Sequence, residues 1–125
     1  MNKMVTISGA ILGLLTVVIG AFGAHALQGI LLQNGRVDTF ETGVNYQGIH
    51  ALAMLAIGQL VGKIDEKSLK YAGMSMLAGV VVFSGSLYVL SLTNATFLGA
   101  VTPFGGLLMI AGWVILIAAI YRSRP

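Results

Sequence analysis

The side chains able to do chemistry in this chain are few and unevenly placed. His25, Tyr46, Gln47, His50, Ser84, Ser86, Tyr88 and Thr102 stand out against long apolar surroundings. Tyr46 and His50 are four residues apart, Gln47 and His50 three apart, so on a helix each pair shares a face. A histidine beside a phenol and an amide can move a proton, hold a ligand, or tie helices together by hydrogen bonds. Nothing supplies a nucleophile. Cysteine is absent, and no ordered serine, histidine and aspartate set is present. The glycines do not follow a strand as a phosphate-cradling loop would. No catalytic residue is assigned, and an enzyme is not expected.

A metal or haem is not expected either. His25 and His50 are fewer ligands than a closed metal site requires. At about 1.5 Å of rise per residue, His50 stands about 18 Å above Gly62 and His25 about 31 Å above Met4. That offset of roughly 13 Å is too large for a shared ion. Asp38 and Glu41 lie in the same connection as His25. Glu41 precedes the second apolar stretch, where a carboxylate favours the positive end of the helix dipole.

These residues sit on elements that only a bilayer can solvate. Hydrophobic residues make up 57% of the 125 and charged residues 9%. A soluble domain carries about 25% charged residues, so this chain cannot cover a water-facing surface. Four apolar stretches, about 4–24, 43–61, 69–92 and 99–121, each approach the roughly 20 residues that a helix needs to cross a membrane. They do not alternate as barrel strands would. The expected fold is an all-α membrane protein, a single domain over 1–125: a four-transmembrane-helix bundle. The first stretch is longer than a signal-peptide core, so despite Ala24-His25-Ala26 it is read as a retained helix.

Charge orients the array. Lys3, Lys63, Lys67, Lys70, Arg122 and Arg124 fall on one side of a four-helix hairpin arrangement, and Arg36 alone falls on the other. Positive residues stay inside. Both termini and the Lys63–Lys67 loop are therefore expected in the cytoplasm, in the bacterial inner membrane. No Lys/Arg stripe with interleaved aromatics points to nucleic acid. The external connection, about 26–42, holds an Asn34-Gly35 turn signal. Val37 and Phe40 recur beside Asp38, Thr39 and Glu41, which predicts a short amphipathic helix in the outer interface, between helices 1 and 2. The fourth stretch has two readings. Thr102 and Pro103 are either an N-cap and first turn, or a kink in a helix that begins near Phe97.

Seventeen glycines lie mostly within these stretches. In membranes small residues let helix backbones approach closely. Gly9, Gly13, Gly20 and Gly23 share one stripe of the first helix, with Gly9 and Gly13 forming a GxxxG pair. Gly58 serves the second helix, Gly79 the third, and Gly105 and Gly106 the fourth. Tight internal packing is their expected role, and contacts within a homo-oligomer or larger membrane complex are the alternative.

Several motifs carry a resemblance. They are Gly20-Ala21-Phe22-Gly23-Ala24-His25-Ala26-Leu27, Phe40-Glu41-Thr42-Gly43-Val44-Asn45-Tyr46-Gln47 with His50-Ala51-Leu52-Ala53, Phe83-Ser84-Gly85-Ser86-Leu87-Tyr88, and Thr102-Pro103-Phe104-Gly105-Gly106 with Gly112-Trp113. In this order, over nearly the whole chain, they resemble the YgdD/YwdK-like family of small multi-pass bacterial membrane proteins, which has a small eukaryotic transmembrane relative. The resemblance implies a four-helix inner-membrane protein and supplies no activity, cofactor or catalytic residue.

Given that orientation, the eight polar residues gather in the outer half of the helices. An outward-facing polar pocket is one reading, and interhelical hydrogen bonding is the other. The function expected first is a structural or accessory bundle in the lipid bilayer. Binding or transport of a small neutral or lipid-like ligand comes second, and a quinone-binding protein or membrane enzyme last. Proton-driven cation export would need a carboxylate within the membrane, and every Asp and Glu falls in a loop or at a helix edge.

Overall fold

Helices form wherever the apolar stretches run unbroken, and they stop where a residue can leave helical geometry. The computed structural model describes residues 3–123. Helix α1 spans Met4–Ala24, α2 Gln28–Asn34, α3 Val37–Gln59, α4 Glu66–Thr93 and α5 Thr102–Arg122, with a 3-10 turn over Thr96–Ala100. Gly35 ends α2 in the left-handed region at φ 66°, where the missing Cβ removes the steric cost. Asn94 ends α4 the same way at φ 57°, its amide bonded to the Leu90 carbonyl at 2.7 Å. Asp65 starts α4. Its carboxylate accepts from the Ser68 hydroxyl at 2.7 Å and the Ser68 amide at 3.0 Å. Those two bonds hold its carboxyl below the usual value.

Three expectations about boundaries need correction. The short helix lies over Gln28–Asn34, before the Asn34-Gly35 turn rather than after it. Val37 and Phe40 instead open α3, which is longer than the 43–61 stretch by six residues at its start. Nothing between Val37 and Gly43 breaks a helix, and Asp38 favours the first turn. The fourth long helix begins at Thr102 with Pro103 in its first turn, not near residue 99, which decides between the two readings of Pro103. Thr102 is not a side-chain cap: its hydroxyl bonds back to the Leu98 carbonyl at 3.1 Å.

Among the described residues, three segments are long and apolar enough to cross a membrane: α1, α4, and Thr96–Arg122, which contains α5. Helix α3 has the length but not the mean hydropathy, because Asp38, Glu41, Asn45, Gln47 and His50 dilute it.

The helices stack in series. Helix α1 pairs with α3, α3 with α4 and α4 with α5, while among the described residues α1 and α5 never approach each other. The arrangement is therefore an open layer folded about α3 and α4, not a closed bundle of four mutually flanking helices. Helix α1 is zipped to α3 along its length: Gly23 abuts Phe40, Gly20 Val44, Gly48 Thr16, Gly9 Met54 and Gly58 Thr6. At the lysine-bearing end α1 also reaches α4, where Val5 fits against Gly73. The core sits there, around Val5, Met54, Ile57, Leu69, Ala72 and Met76, all but sealed.

The glycines divide by use. A Cβ at Gly9 would lie 2.9 Å from that of Met54, and one at Gly79 would lie 2.7 Å from the Met109 amide nitrogen. Gly23, Gly58 and Gly105 are as tightly opposed, and Gly20 meets only ordinary contact at 3.5 Å. Gly13 faces nothing within 4 Å, and Gly106 meets only the edge of the Phe83 ring at 3.9 Å. The GxxxG pair thus has one packed member.

Candidate functional site

Gln47 is the hub of the polar residues. It projects from α3 into the junction with α1 and α4 and is 3% exposed. Its amide nitrogen donates to the Leu12 carbonyl of α1 at 3.0 Å. Its amide oxygen accepts from the Tyr88 hydroxyl of α4 at 2.6 Å. Ser84, one turn earlier on α4, donates to the Gly43 carbonyl of α3 at 2.7 Å. Gly43 has no room for a side chain because the Tyr88 ring lies on it, and that ring also packs on Phe40 at 5.2 Å. In hydrocarbon a polar group must find such partners or bear the full cost of desolvation.

His50, 3% exposed, turns the other way, toward α5. The Trp113 indole nitrogen donates to its Nε2 at 3.0 Å. That nitrogen must then be the acceptor, so the proton resides on Nδ1, which donates to the Tyr46 carbonyl at 2.7 Å. Both ring nitrogens are occupied and the imidazole is uncharged in this arrangement. It offers no lone pair to a metal and no free base to a substrate. Trp113 is the member of this site that residue types alone did not single out. The signal was present: an indole N–H in an apolar helix needs an acceptor, and His50 was the buried side chain able to give one.

The Ser86 and Thr102 hydroxyls meet at 2.6 Å across α4 and α5. Each has a backbone carbonyl within reach as well, Phe83 at 2.9 Å for Ser86 and Leu98 for Thr102. With one proton per hydroxyl, the chain of bonds runs in one of two senses. His25 stands apart, exposed at the end of α1 beside Ala21 and Phe22.

The eight residues therefore do not converge on one pocket. They occupy three seams, with His25 outside all of them, because α3 and α4 present different faces to α1 and α5. No buried side-chain nitrogen or oxygen among the described residues lacks a partner. Among those residues, no group of three or more metal-ligating side chains comes together. A lateral groove of about 280 Å³ runs between α3, α4 and α5, lined by Tyr46, His50, Phe83, Met109, Ile110 and Trp113 with Gly106. Tyr46, 43% exposed, packs its ring on Phe83 at 4.9 Å. A second cavity, of about 240 Å³, lies where α1, α2 and α3 diverge.

Residues 19–106 match the model of the family described as protein of unknown function (DUF423). The chain is 44% identical over 120 residues to the UPF0382 membrane protein SH2409 of Staphylococcus haemolyticus, covering 96% of this chain and 97% of that one. It is 43% identical over 118 residues to the UPF0382 membrane protein YwdK of Bacillus subtilis, covering 94% and 95%. No solved structure matches. The resemblance read from the four motifs is thus borne out, and with it the membrane. Relatives this similar over nearly their full length, together with the matched family model, place the chain in the DUF423 family of membrane proteins, for which no biochemical activity is indicated.

Proposed function

We propose that this protein is a structural or accessory unit of the bacterial cell membrane, made of four membrane-crossing helices with both termini in the cytoplasm. It works by assembling, with itself or with a larger membrane complex, rather than by chemistry. One observation carries the reading: among the described residues every buried polar side chain has a partner, and all but Ser91, which bonds back to Leu87 within α4, reach another helix. Helix α3 joins the three apolar spans because it is zipped to α1 from Phe40 to Gly58 and bonded to α4. A helix held along its length between two spans is itself within the bilayer, and Gln47 and His50 are tolerated there because they are paired. Lys3, Lys63, Lys67, Lys70 and Arg122 at one end support the orientation. Arg124 lies outside the described residues.

The absence of native cysteine makes the topology simple to test. In intact cells a membrane-impermeant maleimide is expected to label Gln33→Cys and to spare Glu66→Cys until the membrane is opened. The reverse pattern would refute the orientation, and equal labelling would refute the four crossings. The packing role is tested by His50→Phe, which keeps the ring and removes the bonds to Trp113 and the Tyr46 carbonyl. At about 0.6 kcal/mol per bond, a loss of about 1 kcal/mol in micellar unfolding is expected. No loss would remove the support for a structural role.

A second reading, binding of a neutral lipid-like ligand, is favoured by the lateral groove. Its walls are apolar and aromatic, and among the described residues the Tyr46 hydroxyl beside it has no hydrogen-bond partner.

A further inference from the structure

The cavity between α1, α2 and α3 is walled by both of the first two sequence motifs. Gly20, Gly23 and Ala24 line one side of it, and Glu41 and Asn45, one turn apart on α3, line the other, with Gln28 of α2 nearby. Glu41 has no structural task there. It is the fifth residue of α3, beyond the first turn, where Asp38 alone supplies the acidic side chain. The helix dipole, felt mainly within that turn, no longer accounts for it. Among the described residues its carboxylate has no ion pair or hydrogen bond, and neither do the side-chain amides of Gln28 and Asn45. Arg36, the nearest base in the sequence, is turned to the Asn94 side-chain oxygen at 3.0 Å. Among the described residues Glu41 is thus the single charged side chain lining the cavity.

We propose that this cavity binds a primary ammonium group, a role beyond the packing function above and independent of it. An ammonium presents three N–H donors and one positive charge. Glu41 answers the charge, the amide oxygens of Gln28 and Asn45 accept the remaining donors, and Leu31 and Val44 cover the adjoining carbons. A volume of about 240 Å³ admits a group the size of an amino alcohol and not a lipid tail. The cavity lies at the ends of membrane-crossing helices. The ammonium therefore comes either from a lipid headgroup or from a free amine.

Calorimetry and thermal unfolding of the full chain in micelles distinguish these sources. Ethanolamine in solution is one arm, phosphatidylethanolamine doped into the micelle is the second, and phosphatidylglycerol is the control. Saturable binding or a raised Tm in either amine arm and not in the control is expected. Response to the lipid alone assigns the headgroup, and response to both assigns the amine itself. Glu41→Gln keeps size and is expected to weaken binding at least about tenfold, or about 1.4 kcal/mol, with the ligand-free Tm unchanged. Gln28→Leu, on a different helix, is expected to weaken it as well. Choline, which has no N–H, is expected to bind at least about tenfold more weakly than ethanolamine. No binding in either amine arm would overturn the proposal. So would equal affinity in Glu41→Gln and in Gln28→Leu, or equal affinity for choline.

Discussion

Gly105→Ala is expected to destabilise the protein by about 3 kcal/mol, while Gly106→Ala, one residue on, leaves it as stable or raises it by up to about 1 kcal/mol. The two glycines read alike in sequence and differ in what faces them. A Cβ at Gly105 would lie 2.8 Å from both the Gly79 carbonyl oxygen and the Phe83 Cα, and closer still to the Phe83 amide nitrogen. Backbone cannot rotate aside as a side chain can, so α4 and α5 must separate along the most extensive helix pair in the fold. At Gly106 the only neighbour is the Phe83 ring edge at 3.9 Å, an ordinary contact. Alanine there adds helix propensity without a clash. Reversible unfolding in mixed micelles, run on both variants, would separate these outcomes. Equal effects would mean that α5 does not seat on α4 at Gly105.

Gln47→Ala is the second large effect, a loss of about 3 kcal/mol from a cavity and two broken interhelical bonds. Gln47 ties its own helix α3 to both α1 and α4, so its removal loosens α1 from α3 and strands the Tyr88 hydroxyl. The Leu12 carbonyl suffers less, since Thr16 also donates to it at 2.6 Å. The cost therefore falls mainly on the α3–α4 side. A double-mutant cycle of Gln47→Leu with Tyr88→Phe isolates that bond. A coupling between about 0.6 and about 1.7 kcal/mol is expected, the mean and the maximum for membrane hydrogen bonds. Additivity within about 0.3 kcal/mol would show that the two side chains do not meet.

Membership in a family of membrane proteins and the apolar stretches were legible in the chain. Composition excludes a soluble fold on its own, because 9% charged residues cannot clothe a water-facing surface. Asn34-Gly35 was legible as a turn, but that Gly35 ends a helix before it rather than opening the way to one after it was not. The boundary errors arose where two local signals competed. Val37 to Glu41 has both the pattern of an interfacial helix and the continuity of a longer one, and only the fit of Phe40 against Gly23 and Tyr88 selects the second.

Of the eight polar residues singled out by type, Gln47, His50, Ser84, Ser86, Tyr88 and Thr102 take side-chain hydrogen bonds, while among the described residues His25 and the Tyr46 hydroxyl take none. Which partners they take was not legible. Tyr46 and His50 share a face by spacing alone, but the bond that fixes the imidazole comes from Trp113, 63 residues away. Gln47 and Tyr88 meet across 41 residues. Gly9 and Gly13 fall on one stripe, and only the first touches α3. Periodicity states which residues share a face. Which helix covers that face depends on how the four long helices settle together. Tertiary packing divided the polar set into three seams, left α1 and α5 apart, and opened beside Glu41 the cavity that neither motif predicts alone.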